Sequence, residues 1–408
     1  MLNSFLFIII VFWVNLVSSA IQYPNCSVEH NSPVAWSVDC SSLNLDFFPQ
    51  HLLGHPVRNL TFVHNNLNSS VKFQVWKDLE YLNVAYNKLT YINNETFDGL
   101  VKLKYLNVSY NGISNLNGDV FSKLPILNIL DLSGNKNLGS NTESLEKALD
   151  GTLQRGLRKL YIADIDMYDM KDNFFDRANL LSLIDISNNY LKSFPTFPKS
   201  LKILDISNNS INTLTLHPFY HSREIYTLIA ENNRNLTQVQ TDTFHGMTEL
   251  KYVSFKGCTK FDNIYYGTFH FNKKLQYLSI ANCNFKTLSN VLKHVFFRVD
   301  VVDLQDNPWH CDAAIKWFYV MDIPKNMTKN LRCATPYETP LLEFYGPKHH
   351  HEILKVVLGV LVIFVFVFFG LGLFFAYEME RKRKLAHPYM LLGRGAPVSS
   401  PIYISTVM

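Results

Sequence analysis

The stretch from Leu79 to Leu124 states one pattern twice. LEYLNVAYNKLTYINNETFDGL is followed by LKYLNVSYNGISNLNGDVFSKL, and Leu79 and Leu103 stand 24 residues apart. Apolar side chains fall at relative positions 1, 4, 6 and 11, asparagine falls at 9, and a phenylalanine sits six residues before the next start. A unit this short cannot bury its own apolar face, so neighbouring units must cover one another, and a period of about 20 to 29 residues implies a stacked solenoid.

Repeat starts fall at Val57, Leu79, Leu103, Leu127, Leu157, Leu181, Leu201, Ile225, Leu250, Leu275 and Val299, which predicts repeats over 57–306. The class is α/β: about eleven strands in one parallel sheet, spaced roughly 4.8 Å along an arc of roughly 50 Å. Asn65, Asn87, Asn111, Asn135, Asn189, Asn209, Asn233 and Asn307 fill the asparagine slot, where an amide can satisfy backbone groups of the turn leaving each strand. Phe73, Phe97, Phe121, Phe175, Phe219, Phe244 and Phe269 predict a spine of rings on the convex side.

Three departures interrupt this regularity. The repeat beginning at Leu127 is six residues longer and carries SNTESLEKALDGTL, where Ser140 with Glu143 predicts a capping box and Leu145, Ala148, Leu149 and Leu153 share one helical face. The next has Ile165 in the asparagine slot, beside Asp164, Asp166 and Asp169. The one after is shortened and holds Pro195 and Pro198, which predicts no convex helix. Cys258 and Cys283 occupy the asparagine slot of consecutive repeats, as buried thiols or as a disulfide across one strand spacing.

Two apolar runs set the expected topology. Phe5 to Val17, ending at Ser18-Ser19-Ala20, reads as a signal peptide over 1–20. Val356 to Tyr377 is uncharged and long enough to cross the roughly 30 Å of a bilayer core, and Arg381 to Lys384 behind it place the tail 378–408 in the cytoplasm. The segment 336–355, with His349 to His351, reads as a solvated juxtamembrane stalk. The expected location is therefore the plasma membrane, with the N-terminus extracellular.

The repeat pattern, with WSVDCSSLNLDFFP before it and Asn307-Pro308-Trp309-His310-Cys311-Asp312-Ala313 after it, resembles the extracellular leucine-rich-repeat family, most closely its Toll-type and adhesion-type ectodomains. The resemblance implies an N-terminal cap over 21–56 and a C-terminal cap over 307–335. Family caps often carry four cysteines. Here only Cys26 and Cys40 stand in the first, implying one bridge between them, and Ala313 takes the place of a cysteine in the second, leaving Cys311 with Cys333.

The net charge of +4 and 18% charged residues point to no nucleic-acid partner. No P-loop, G-x-S-x-G, H-E-x-x-H or C-x-x-C occurs, so no catalytic, metal or cofactor site is expected, and an enzyme is not. Glycosylation sequons stand at Asn25, Asn59, Asn68, Asn94, Asn107, Asn208, Asn235 and Asn326, all before the second apolar run. Partners are expected on the concave strands, at Tyr81, Asn83, Tyr105, Asp131, Tyr161, Asp185, Asp205, Tyr252 and Tyr277. In the tail, Tyr389 to Leu392 fits an adaptor-read sorting signal, and Thr406 to Met408 fits a PDZ ligand. These features suggest a single-pass glycoprotein binding a protein ligand or a neighbouring cell, as an adhesion molecule or co-receptor. An innate-immune receptor signalling through a partner, and a membrane-held matrix component, remain the alternatives.

Overall fold

The computed structural model describes residues 26–32, 35–321, 330–335 and 340. Within them the repeat becomes a short strand of three residues, as at Tyr81–Asn83, Tyr105–Asn107 and Ile129–Asp131. Successive strand side chains point to opposite faces, so the middle residue turns inward and its neighbours turn out. Leu82, Leu106, Leu130, Leu160, Ile184, Leu204, Leu228 and Leu278 are fully buried in this way. One 13-stranded sheet results, parallel from Ala35–Asp39 through Val301–Asp303, each strand bonded to the next in register apart from one shift between Trp36 and Ser37 at the N-terminal cap. Two strands belong to the N-terminal cap, and the other eleven follow the repeats.

Asparagine closes each turn from inside. Asn135, wholly buried, donates to the carbonyls of Val108 (3.1 Å) and Leu132 (2.7 Å) and accepts the Ile113 N–H at 3.1 Å. One side chain thus satisfies the Leu132 carbonyl and the Ile113 N–H, groups of two successive repeats that would otherwise be orphaned in the core, and shares the Val108 carbonyl with Asn111.

The convex side is held by rings. Phe73, Phe97 and Phe121 follow one another at centroid spacings of 6.0 and 6.5 Å, and Phe175, Phe197, Phe219, Phe244 and Phe269 continue at 5.3 to 6.0 Å. Phe197 belongs to the shortened repeat and was not in the expected spine. It lies four residues before Leu201 rather than six, because the loop lacks two residues of convex turn. Between Phe121 and Phe175 the helix Thr142–Arg155 takes the ring's place and buries Leu145, Ala148, Leu149, Thr152 and Leu153. Its cap is Asn141, whose side chain accepts the Ser144 N–H at 3.1 Å, and not the expected Ser140. Ser140 ends the preceding 3-10 turn Leu138–Ser140 and stands one residue too early to reach the free N–H groups.

Both ends are closed. Strand Ser27–Ser32 pairs antiparallel with Ala35–Asp39, and Cys26 is bonded to Cys40 beside them. At the other end Cys311 is bonded to Cys333, Trp309 is wholly buried with its indole N–H donating to the Leu304 carbonyl at 2.9 Å, and Ile315, Trp317 and Phe318 cover the last repeat. Among the described residues no helix is long and apolar enough to cross a membrane. The runs 1–20 and 356–377 lie outside the described residues.

Candidate functional site

The outward residues of the strands make two parallel rows on the concave face. In one, Tyr81 and Tyr105 stack at 4.2 Å with planes 9° apart, and Tyr252 and Tyr277 stack at 4.4 Å and 4°. Five strands separate the two pairs, so these tyrosines form two stations rather than one surface. In the other row Asn83, Asn107, Asp131, Tyr161, Asp185 and Asp205 come into register on six consecutive strands. Burial pushes the Tyr105 and Tyr277 hydroxyls up to about 12, and it also raises Tyr161 and Tyr252. The carboxyls of Asp131 and Asp205 are likewise held above their ordinary range by burial, against the opposing pull of the Ser133 and Ser207 N–H groups that each accepts at 2.9 Å.

Along the rim beside Asn83 and Asn107 runs a third feature that the sequence reading did not single out. His64, Tyr86 and Tyr110 stack at 4.4 Å each, half-exposed, and all three have left-handed backbone (φ 54°, 54° and 49°). The same turn position elsewhere holds Gly134, Asp164, Asn188, Asn208, Asn232, Gly257, Asn282 and Asp306. Bulky residues there cost on the order of 1–3 kcal/mol each, which is where functional constraint is to be sought. The ladder ends on Gly134, where an added Cβ would lie 2.4 Å from the Tyr110 ring. The available signal was the aromatic residue immediately before Asn65, Asn87 and Asn111, in a slot the repeat template leaves unspecified.

The sequons scatter over different faces. Asn68 and Asn235 are exposed on turns beyond the asparagine slot, and Asn94 is half-buried on the convex side. Asn59 is exposed at the N-terminal end of the concave sheet, with its amide on Ser37 Oγ at 2.9 Å. Asn107 stands inside the concave row with its amide on Tyr105 Oη at 3.4 Å, and Asn208 donates to Asn188 Oδ1 at 2.9 Å on the rim. Asn25, Asn326, Tyr389, Leu392, Thr406 and Met408 lie outside the described residues. Cys258 and Cys283 are free buried thiols donating to the Ala230 and Phe255 carbonyls at 3.2 Å each. On the convex side, the shortened repeat leaves a cleft of about 470 Å³ lined by Phe175, Phe197, Pro198, Lys199, His221 and Glu224.

Leucine-rich-repeat models match residues 56–113 and 77–136, and a second such model matches 200–222. Fold and repeats together define a leucine-rich-repeat solenoid with a disulfide bond in each cap. The chain is 23% identical to the leucine-rich repeat transmembrane protein FLRT2 of Rattus norvegicus and of Mus musculus. The match covers 48% of this chain and 34% of each of those, so it spans about a third of the length of these relatives. Among solved structures, the functional domain of InlJ from Listeria monocytogenes, described as including a cysteine ladder, shares the fold at a TM-score of 0.50 and 19% identity. That match covers 71% of this chain and 56% of that one.

Proposed function

We propose that this is a cell-surface glycoprotein that recognises a protein ligand, or a protein on a neighbouring cell, through the concave face between Tyr81 and Asp205, as an adhesion molecule or co-receptor. The observation that carries the reading is the meeting on one sheet of the Tyr81–Tyr105 stack, the rim ladder and the registered polar row. Tyrosine supplies large contact area with few rotors to freeze, and polar neighbours fix orientation, which is the composition of protein-binding surfaces. Disulfide-bonded caps suit an oxidising, extracellular compartment. The uncharged run 356–377 and the similarity to FLRT2, named as a transmembrane protein, support attachment by one transmembrane helix. On this reading the glycans sit at the sequons away from Asn107, and the tail engages adaptors through Tyr389 and Leu392 or a PDZ groove through Thr406 and Met408.

The test displays the full chain on cells and probes it with a panel of secreted and cell-surface proteins. Lys159→Asn with Tyr161→Thr then plants a sequon on a central concave strand, reproducing the Asn59-Leu60-Thr61 arrangement. A partner bound by the parent should weaken by at least about tenfold, a loss of about 1.4 kcal/mol, with surface level unchanged. Lys159→Asn alone, which creates no sequon, should do much less, and Tyr161→Thr alone should account for only part of the loss. A partner unaffected by the added glycan would remove the concave face from the proposal.

A further inference from the structure

The concave row contains a chemical choice that the fold does not require. At this register the Ala163 and Glu231 N–H groups are met by Ser133 and Ser207 of the preceding repeat, while most strands supply their own acceptor for the N–H two residues on. Asn83 supplies it to Ala85 at 3.1 Å and Asn107 to Ser109 at 2.8 Å, both with a neutral amide oxygen. Asp131, Asp185 and Asp205 perform the same task for Ser133, Ser187 and Ser207 at 2.9 to 3.0 Å, but with a charge. The charge is unfavourable where it stands, since burial pushes the Asp131 and Asp205 carboxyls up. Among the described residues none of the three forms an ion pair, whereas nine pairs elsewhere tie up lysines and arginines with other acids. The chain as a whole carries +4, so this strip runs against the protein's own balance.

Deepening the proposed function, on which this inference rests, we propose that the partner presents an arginine- or lysine-bearing protein segment, laid across the sheet with its cations on Asp131, Asp185 and Asp205 and its apolar part against the Tyr81–Tyr105 and Tyr86–Tyr110 stacks. Tyr161, between Asp131 and Asp185, contributes a further ring beside the charges, and Tyr110 lies within electrostatic reach of Asp131 and Asp164. Guanidinium groups suit this surface because they stack on rings and fork onto carboxylates. The same charges repel nucleic acid and anionic lipid.

The probe is a synthetic peptide of about a dozen residues alternating arginine and serine, about 40 Å when extended and long enough to cross the row, with a glutamate–serine peptide as counterpart. Against the full chain on cells, the arginine peptide should bind and the glutamate peptide should not. Asp131→Asn with Asp205→Asn should weaken binding by at least about tenfold, and Asp98→Asn with Asp119→Asn, exposed acids outside the sheet, by less than about twofold. The asparagine pair keeps both turn bonds, so its unfolding temperature should be no lower than the parent's. Raising salt from about 50 to 500 mM should weaken the parent more than the variant. Equal losses in the two variants, no binding by the parent, or a lowered unfolding temperature in the concave pair would overturn the inference. A protein partner blocked by the glycan at position 159 but indifferent to the asparagine pair would overturn it while leaving the proposed function standing.

Discussion

Two regions of the solenoid solve the same problem with different atoms. From Asn65 to Asn233, and again at Asn307, the turn leaving most strands is closed by a buried amide that both donates and accepts, as Asn189 does between the Ile162 carbonyl (3.0 Å) and the Met167 N–H (3.0 Å). At Cys258 and Cys283 a thiol sits in the same slot and makes only weak donations, from Cys258 to Ala230 and from Cys283 to Phe255 and Ala281. The neighbouring backbone compensates: Phe261 and Cys258 N–H groups bond to Cys258 and Phe255 carbonyls within their own turn. The slot therefore demands a donor to the preceding repeat, and the second function of asparagine can be handed to the backbone where the turn is tight enough.

The largest effect that would test this is Asn135→Ala. It removes the bonds to Val108 and Leu132 and orphans the Ile113 N–H in a wholly buried site. At about 1–3 kcal/mol for each orphaned group, a loss of about 4 kcal/mol is expected in denaturant unfolding. A loss under about 1 kcal/mol would mean that the slot has no such demand there.

The repeat arithmetic made much of this legible. Leu82, Leu106, Leu204 and Leu278 are inward because position 4 is the middle of each strand, and the asparagine slot follows from the same count. The misses have local causes. Phe197 escaped because a shortened loop displaces the ring from its counted place. Asn141 rather than Ser140 caps the convex helix because an intervening 3-10 turn shifts the start by a residue. The rim ladder of His64, Tyr86 and Tyr110 lies in a slot that side-chain periodicity leaves unconstrained, and only the sign of φ there shows that an aromatic residue is costly. For the concave row, position identified the residues, but that Asp131 and Asp205 carry unpaired, half-buried charge is a property of packing.

The next effect in size uses pH. Burial holds the Cys258 thiol at about 12 and raises that of Cys283, while the unfolded chain ionises near 9. Below pH 9 both states are protonated and these groups contribute nothing to the pH dependence. Above it the unfolded state loses protons that the folded state keeps, so stability falls at about 1.4 kcal/mol per pH unit for each thiol. Tyr105 and Tyr277 shift the same way in parent and variant, so the difference between them isolates the thiols. At pH 11, Cys258→Ser should recover about 2–3 kcal/mol relative to its own effect at pH 7. Parallel pH profiles would show that the thiol ionises freely in the folded protein. Smaller again, Asn135→Cys should cost about 2 kcal/mol, less than alanine, because one donor survives while the Ile113 N–H stays unmet.

The smallest effect asks what the sulfur contributes at Cys258. Serine keeps a hydroxyl that donates to the Ala230 carbonyl better than a thiol does, but it is smaller and more polar, so it gives up some apolar contact in a fully buried site. These changes oppose each other, and Cys258→Ser should lie within about 1 kcal/mol of the parent at pH 7. Cys258→Ala gives up the thiol donor while the Ala230 carbonyl keeps the Asn233 amide at 2.9 Å, for about 0.5–1.5 kcal/mol. Serine above alanine in unfolding free energy is what a donor slot requires. Alanine above serine would mean that Cys258 is there as a small apolar filler, so that the two cysteine repeats resemble the core of the solenoid more than its asparagine turns.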